Sequence, residues 1–519
     1  MVGVAGKSRG CNTCRKRKIA CDQQKPACAK CIRSQRVCGG YEKERVFVLV
    51  QPAAEKTHTF LRPHTLSPQG TPQIEAVKSN IFSPASVVGV NKIPQSFTET
   101  SPLNVMMMHR SIESHNLIQA FLLNCFPSNW PSTSHSWISL LGELPTKVEA
   151  LEISSAAVAA SALGYMFNDQ VLVKQSLTYY TWGLQLLQKA LHDPRLMRED
   201  GTLAACMALS LYEALECPNL GSEGYFNHCH GLIALIQSRG LDVHSSGTGN
   251  RLFRGVRVPG ILFALKHHTS TIFSESTWME QPWIGIQKTP HDRVTDCLAQ
   301  APVILERVRS LPRLSLSHQV DLLHELIREC WQIDQKLDVA YDQMQQSASD
   351  VLYWQVPSQT DPLLQSEQFE PLFPVVFCFQ NVQMAATLML LWATRTMVWS
   401  GLSNMYQYLE GIMLFEIPSS MSLESDSLQS VVLEPLGVCN PLDRCGEYLS
   451  MAHRVCQSVE YFLRDEMLLA GPLSVSPALG IVVDSLRNRP GHDQEIAWIQ
   501  AALEVVRRKG LRVLQHVNL

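Results

Sequence analysis

Six cysteines near the start of the 519-residue chain have the residue type and the spacing of a metal site. They form the unit C-x2-C-x6-C twice, and the second copy follows the first at a constant offset of 17 positions. Thiolates are preferred ligands of structural zinc, and each ion takes four ligands in a tetrahedron. The six candidate ligands are Cys11, Cys14, Cys21, Cys28, Cys31 and Cys38.

The number of cysteines favours two zinc ions over one. No histidine precedes His58, so two tetrahedral ions must share the six thiolates, and this works if two of them bridge both metals. A single four-cysteine site would leave two thiols in a segment with almost no apolar core. A disulfide framework is a weaker alternative. The first ten residues, MVGVAGKSRG, lack the apolar region of a secretory signal, and thiols stay reduced without secretion.

Residues 10–41 resemble the zinc binuclear cluster of fungal transcription factors. The resemblance rests on the six cysteines, the basic run after the second, Asp22 after the third, and Lys25-Pro26 before the fourth. Ala20 departs from the family pattern, which often has a further basic residue there. The resemblance implies two Zn²⁺ ions per chain and two short helices. It also implies that Cys11 and Cys28 bridge the metals, with Cys14 and Cys21 completing one site and Cys31 and Cys38 the other.

The basic residues of this segment point to double-stranded DNA as its partner. A Lys or Arg in the major groove pairs with the O6 and N7 acceptors of guanine. The resemblance implies that the first helix binds a CGG triplet, with Lys18 contacting the bases and Arg17 beside it. Phosphate contacts, which set register without specifying sequence, are expected at Arg15, Lys16, Lys25 and Arg33. Taken alone, the run 15–18 would favour a solvated charge cluster or a nuclear import signal.

Charge is distributed unevenly along the chain. Residues 1–45 hold twelve Lys and Arg against three acids, whereas the remainder holds 32 bases against 44 acids. A basic head on an acidic body indicates that the head alone meets a polyanion. The most apolar stretch, residues 385–399, is shorter than the roughly 20 residues of a membrane span and contains Arg395. We therefore expect it to be a buried helix, with no membrane partner.

The fold class expected from the sequence is all-α, in three zones. Residues 1–45 form the zinc cluster domain, and residues 110–519 form an all-helical regulatory domain. Residues 46–109 are rich in Pro, Ser and Thr and form a linker, because they cannot bury enough apolar surface to fold. No apolar heptad follows the cluster, so the sequence favours a monomer or a weak homodimer. Residues 418–432 are expected to form a mobile acidic loop.

Apolar residues recur every three or four positions in the body, as is typical of amphipathic helices. One stripe runs through Val173, Leu177, Tyr180, Leu184, Leu187 and Leu191. Two others run through Leu323, Leu326, Cys330, Ile333 and Leu337, and through Ile496, Ile499, Leu503 and Val506. The last helix carries three basic residues in its final turn, which suits the helix dipole, and Gly510 is placed to cap it.

Parts of the body resemble the fungal-specific regulatory domain that follows such clusters. The segments that carry the resemblance are Tyr225–Gly231 with the residues up to Gly240, Asn250–Arg257, and the closing helix around Trp498. This resemblance implies an all-helical module that tunes activity by binding a metabolite or a transcriptional co-regulator.

The body contains no recognisable catalytic motif. A nucleophile elbow, a phosphate loop and a dinucleotide fingerprint are all missing from the sequence. His324-Glu325 opens a zinc-hydrolase pattern, but Arg328 stands where the second histidine is needed. Residues 228–230, His-Cys-His, are neighbours on a predicted helix and point in different directions, so core or surface roles are expected for them.

These observations predict a nuclear, sequence-specific regulator of RNA polymerase II genes that has no catalytic activity and controls a metabolic gene set. The alternative is a metabolite-sensing helical receptor whose output is DNA binding. A third hypothesis, a zinc store, predicts metal binding without DNA preference, and the basic run after Cys14 argues against it.

Overall fold

The cysteine-rich segment and the apolar body belong to two separate units in the computed structural model. In the first unit the structure describes residues 11–17, 19–22, 24, 27–34, 36 and 38. In the second it describes residues 102–127, 137–144, 148–217, 222–245, 247–348, 350–359, 372–416, 441–487 and 489–515. Residues 46–101 of the expected linker and the expected loop at 418–432 lie outside the described residues.

Helices make up nearly all of the described chain, which confirms the expected fold class. The first unit contains α1 (Asn12–Lys16) and α2 (Ala29–Arg33). The second unit contains α3 (Pro102–Cys125), α4 (Glu149–Met166), α5 (Gln170–His192), α6 (Asp200–Glu216), α7 (Glu223–Arg239), α8 (Gly247–His267), α9 (Ser276–Glu280), α10 (Pro290–Val308), α11 (Leu316–Ser347), α12 (Val382–Glu416), α13 (Pro441–Gly446), α14 (Tyr448–Leu463), α15 (Ala470–Leu486) and α16 (Asp493–Arg508). Helix α3 begins inside the segment that the sequence assigns to the linker.

The described body also contains one small antiparallel hairpin, which the all-helical prediction did not include. Strand β1 (Tyr353–Pro357) pairs with β2 (Val375–Phe379), with Tyr353 opposite Phe379. Their aromatic and β-branched residues favour strands, and β2 is buried along most of its length. The ring centroids of Tyr353 and Phe377 lie 5.3 and 5.8 Å from that of Trp392 on α12, so the hairpin covers this helix.

Small side chains allow α4 and α5 to pack in close contact. The buried face of α5 therefore differs from the face that the sequence predicts. A Cβ atom on Gly183 would lie only 2.8 Å from Ser154 Oγ of α4. The buried face of α5 consists of Ser176, Tyr180, Gly183, Leu186, Leu187 and Ala190. The predicted stripe is therefore partly wrong, since Leu177 and Leu191 are 48% and 39% exposed. Close approach to α4 selects the small residues over these leucines.

The other predicted stripes are confirmed. All five stripe residues of α11 are buried, and in α16 Ile499, Leu503 and Val506 are buried while Ile496 is half-buried. The φ of Gly510 is +124°, and its amide donates to the carbonyl of Arg507 at 3.0 Å, as expected for a cap. The apolar stretch 385–399 lies within α12. None of the described helices has the length and apolarity that crossing a membrane requires.

A buried ion-pair network joins α11 to α12. Asp334 is 1% exposed, and its Oδ1 accepts from Arg395 Nε at 2.8 Å and from Trp399 Nε1 at 2.9 Å. Arg395 Nη2 also donates to Asp338 at 2.6 Å, and Arg444 Nε lies 3.3 Å from the other Asp334 oxygen. A charge in the apolar stretch of α12 is thus accommodated by a carboxylate from the facing helix. Such pairs are costly to break, because the remaining charge stays buried.

We predict that Asp334→Ala lowers the free energy of unfolding of the body by about 3 kcal/mol, since it leaves the Arg395 guanidinium without its buried partner. Asp342→Ala is the matched control, because Asp342 lies on the same helix but is exposed. Urea unfolding followed by far-ultraviolet circular dichroism measures both. Equal midpoints for the two variants would contradict a stabilising role for the pair.

Candidate metal centre

Each half of the cysteine repeat begins a short helix in the same way. Cys11 immediately precedes α1, and Cys28 is the N-cap of α2. The amide of Cys14 donates to Cys11 Sγ at 3.3 Å, and the amide of Cys31 donates to Cys28 Sγ at the same distance. The C-x2-C spacing therefore places two sulfurs at one helix start, where backbone amides stabilise thiolate charge.

The sulfur positions match two tetrahedral zinc sites that share an edge. Four sulfurs at about 2.3 Å from a zinc ion lie about 3.8 Å from one another. Cys11 Sγ lies 3.7 Å from Cys28 Sγ and 3.8 Å from Cys31 Sγ, and Cys14 Sγ lies 3.6 Å from Cys28 Sγ. The sulfurs form two groups, and within each group all sulfur atoms lie within 4.8 Å of one another. The first group consists of Cys11, Cys14, Cys21 and Cys28, and the second of Cys11, Cys28, Cys31 and Cys38. Cys11 and Cys28 belong to both groups.

Among its described residues, this unit has no apolar core apart from the cysteines. Cys11, Cys14, Cys28 and Cys31 are fully buried against one another, with Cys21 and Cys38 half-buried around them. Loss of hydration raises the pKa of Cys14 and of Cys28 above the usual thiol value. Zinc binding must therefore displace protons from these thiols. Structural zinc contributes on the order of 10–16 kcal/mol in finger peptides, enough to fold a segment of this size.

Asp22 links the two halves of the repeat, a role that the sequence analysis did not assign. Its Oδ2 accepts from the amide of Ala29 at 3.0 Å, and its Oδ1 accepts from the amide of Lys30 at 3.4 Å. The Ala29 amide holds the pKa of Asp22 below its usual range. The carboxylate thus satisfies the first amides of α2 from seven residues away. This distance explains why a search for local capping patterns misses it.

The expected DNA-contacting residues are placed only in part by the described structure. Lys16, Arg17 and Arg33 are exposed, as a phosphate or base contact requires. Arg17 Nη1 also donates to Ser34 Oγ at 3.2 Å, so this side chain already ties the end of α1 to the end of α2. The side chain of Arg15 and all of Lys18 and Lys25 lie outside the described residues.

No second metal cluster occurs in the parts of the body that the structure describes. Across the described residues of both units, the groups of three or more close ligand side chains consist of the six cysteines of the first unit. His228 is half-buried, Cys229 is buried and His230 is exposed, as expected for adjacent residues on a helix. The described cysteines of the body are buried thiols outside any disulfide, namely Cys125, Cys206, Cys217, Cys229, Cys297, Cys330, Cys378, Cys445 and Cys456.

We predict that Asp22→Ala lowers the zinc affinity of the chain by about tenfold. Loss of a residue that supports metal ligands typically lowers metal affinity by about 10- to 100-fold. Both ions should still bind at saturating zinc, because no ligand is removed. Asp22→Asn is the control, since it retains one acceptor oxygen and should lose less affinity. Competition with a coloured chelator measures the affinities, and an unchanged affinity for Asp22→Ala would show that the cap does not support the cluster.

Comparison with known proteins places two families on the chain. Residues 9–45 match the fungal Zn(2)-Cys(6) binuclear cluster domain, and residues 116–350 match the fungal specific transcription factor domain. The first match, together with the clustered sulfurs, establishes a centre for two zinc ions. No solved structure matches the chain.

Curated relatives carry the names of transcriptional regulators. The transcriptional regulatory protein moc3 of Schizosaccharomyces pombe is 27% identical over 164 residues, which is 30% of each chain. An uncharacterized transcriptional regulatory protein of the same organism is 62% identical over 32 residues, or 6% of each chain. White-opaque regulator 2 of Candida albicans is 58% identical over 33 residues, 6% of this chain and 7% of that one. The matches thus span less than a third of these relatives. With its two-zinc cysteine cluster and its helical body, the chain belongs to the fungal zinc cluster transcription regulators.

Proposed function

We propose that this regulator binds double-stranded DNA sequence-specifically through its zinc cluster and recognises CGG-type triplets. The observation that carries the proposal is the pair of edge-sharing sulfur groups, which positions α1 with exposed basic residues at its C-terminal end. In this assignment Cys11 and Cys28 bridge the two ions. Cys14 and Cys21 complete one site, and Cys31 and Cys38 complete the other.

The proposed roles of the individual basic residues follow from the resemblance to the zinc cluster family. Lys18 follows the end of α1 by two positions and is assigned the contact to guanine in the major groove, with Arg17 beside it. Arg15, Lys16, Lys25 and Arg33 are assigned to phosphates. Since Arg17 also bonds Ser34, it is better suited to hold α1 in position than to read a base.

The remaining assignments concern the whole chain. We propose residues 1–45 as the DNA-binding domain, 46–109 as the linker and 110–519 as the helical regulatory domain. The protein acts in the nucleus on RNA polymerase II genes of a metabolic set, without catalysis, as a monomer or a weak homodimer that contacts co-regulators. The basic head, with its excess of positive charge, supports the assignment to DNA.

Selection from random duplex DNA by the full chain, in zinc and at one fixed salt concentration, tests this function. Salt must be fixed because affinity falls steeply as counterions compete for phosphates. Enrichment of CGG, single or repeated at a constant spacing, is the expected result. Salt-sensitive binding without an enriched sequence would reduce the head to a basic anchor and overturn the proposal.

We predict that Lys18→Ala weakens the free energy of binding to CGG sites by about 1–3 kcal/mol and relaxes the base preference at the GG step. The zinc content should not change. Lys30→Ala is the control, because it removes an exposed basic side chain from α2 and should leave sequence preference unchanged. Repeating the selection with both variants compares their preferences. An unchanged GG preference for Lys18→Ala would remove this residue from base recognition.

Arg33→Ala is expected to behave differently from Lys18→Ala, because a phosphate contact carries no sequence information. Binding should weaken similarly on all sequences, and the slope of log affinity against log salt should fall by about one. Titrations of a CGG duplex and an unrelated duplex at several salt concentrations measure both quantities. A loss confined to the CGG duplex would instead assign Arg33 to base recognition.

We predict that Cys14→Ala lowers the zinc content below two ions per chain and abolishes specific DNA binding, because it removes one ligand and opens the sulfur group around Cys11 and Cys28. Cys229→Ala is the control, since this buried thiol lies in the body. Atomic emission measures zinc in both proteins. A Cys14→Ala chain that retains two ions would contradict the assigned ligands.

A further inference from the structure

A large, partly open cavity lies in the helical body and has no part in the proposed DNA binding. Its volume is 850 Å³, which falls in the range of about 300–1,000 Å³ for small-molecule sites. Side chains of α6, α7 and α8 line one part of it, and side chains of α12 and α15 line another. A neighbouring cavity of 350 Å³ shares Met397 and Gly401 with it, so the space continues along α12.

Most of the side chains that line this cavity are apolar. They include Met207, Leu262, Phe263, Leu390, Met397 and Ile481. Two prolines inside helices, Pro259 of α8 and Pro477 of α15, also border it. A proline removes an internal hydrogen bond of a helix and bends it, which opposes close packing of these helices against each other. The apolar lining favours a ligand with an extended hydrocarbon or aromatic body.

Gly401 marks open space in the wall of both cavities. A Cβ atom built on Gly401 would meet no atom within 4 Å, although the residue lies inside α12. A glycine inside a helix is less favourable than alanine by roughly 1 kcal/mol. A side chain added at this position would therefore enter the cavity without displacing its neighbours.

The cavity also presents a positive charge that no carboxylate of the described residues neutralises. Arg489 lines it, and its Nη2 donates to neutral partners, the carbonyl of Ser400 and Asn404 Oδ1, the latter at 2.7 Å. Its guanidinium stacks on the ring of Tyr448 at 4.5 Å. Its Nε is buried without a hydrogen-bond partner. Within the described part of the chain, no carboxylate forms an ion pair with Arg489.

A second group of charges in the lining has the same sign on balance. Lys266 and Arg487 both line the cavity, together with a single carboxylate, that of Asp484. Arg487 Nη1 lies 3.6 Å from Asp484 Oδ1. These three side chains are exposed, so the cost of an incompletely paired cation falls on the half-buried Arg489, and an anionic group of a ligand would lower that cost.

We propose that the helical body binds an amphipathic organic carboxylate in this cavity, with its apolar body along α12 and its carboxylate on Arg489. This site goes beyond the proposed DNA binding and does not depend on it. A failure of ligand binding would leave the DNA selection unchanged, and a failure of the selection would leave the ligand titration unchanged.

The first experiment is a calorimetric titration of the full zinc-loaded chain with decanoate, and with 1-decanol as the uncharged analogue. Decanoate should bind with a stoichiometry of one, and 1-decanol should bind at least about tenfold more weakly, since a charge-assisted hydrogen bond to Arg489 is lost. Absence of decanoate binding, or equal affinity for the two compounds, would overturn the proposal.

Two pairs of variants locate the site. Gly401→Leu fills the cavity and should reduce decanoate affinity at least tenfold, whereas Gly411→Leu, at a position of α12 that is equally open but outside the cavity lining, should not. Arg489→Gln should abolish the preference for decanoate over 1-decanol, and Arg489→Lys should retain part of it. Thermal unfolding without ligand confirms that each variant is folded. Unchanged affinity in folded Gly401→Leu, or unchanged preference in folded Arg489→Gln, would contradict the assigned site.

Discussion

The distance between sulfur atoms on two metals is the constraint on which the head depends. Thiolates at about 2.3 Å from a tetrahedral zinc lie about 3.8 Å apart, and six of them serve two ions only if two are shared. Cys11 and Cys28 are the two cysteines that belong to both sulfur groups, and each stands at the start of a short helix. The metal centre therefore fixes the two helices relative to each other, and with them the exposed basic residues of α1. Asp22 and Arg17 add direct bonds between the same two halves.

The body is stabilised by different means, because it has an extensive apolar core. Small residues let α4 and α5 approach closely, and buried charges are retained where they have partners, as Asp334 and Arg395 show. Around the cavity beside α12 the helices pack less closely. Pro259 and Pro477 oppose tight packing there, and Arg489 has only neutral partners within the described chain. Packing and charge are thus incomplete in this part of the described body, which is where we propose that a ligand binds.

Sequence patterns predicted the body well where a helix has one wide apolar face. The stripe of α11 and the final helix α16 with its glycine cap follow the expected positions. In α5 the pattern identified the helix but placed part of its face wrongly, because a close helix contact favours small residues over leucine there. The hairpin was missed since each strand is only five residues long, too short for periodicity to distinguish it from a loop.

The sequence by itself determined the metal centre. Its ligands lie within 28 residues of one another, so their type, number and spacing are all local properties. The helix starts at Cys11 and Cys28 and the basic run follow from the same short segment. Only the tertiary structure decided the Asp22 cap, the pairing of Asp334 with Arg395, and the cavity. Gly401 and Arg489 are 88 positions apart, and the joint role that we propose for them depends on how far α12 stands from α8 and α15. That separation results from side-chain packing across the whole body, which no local pattern encodes.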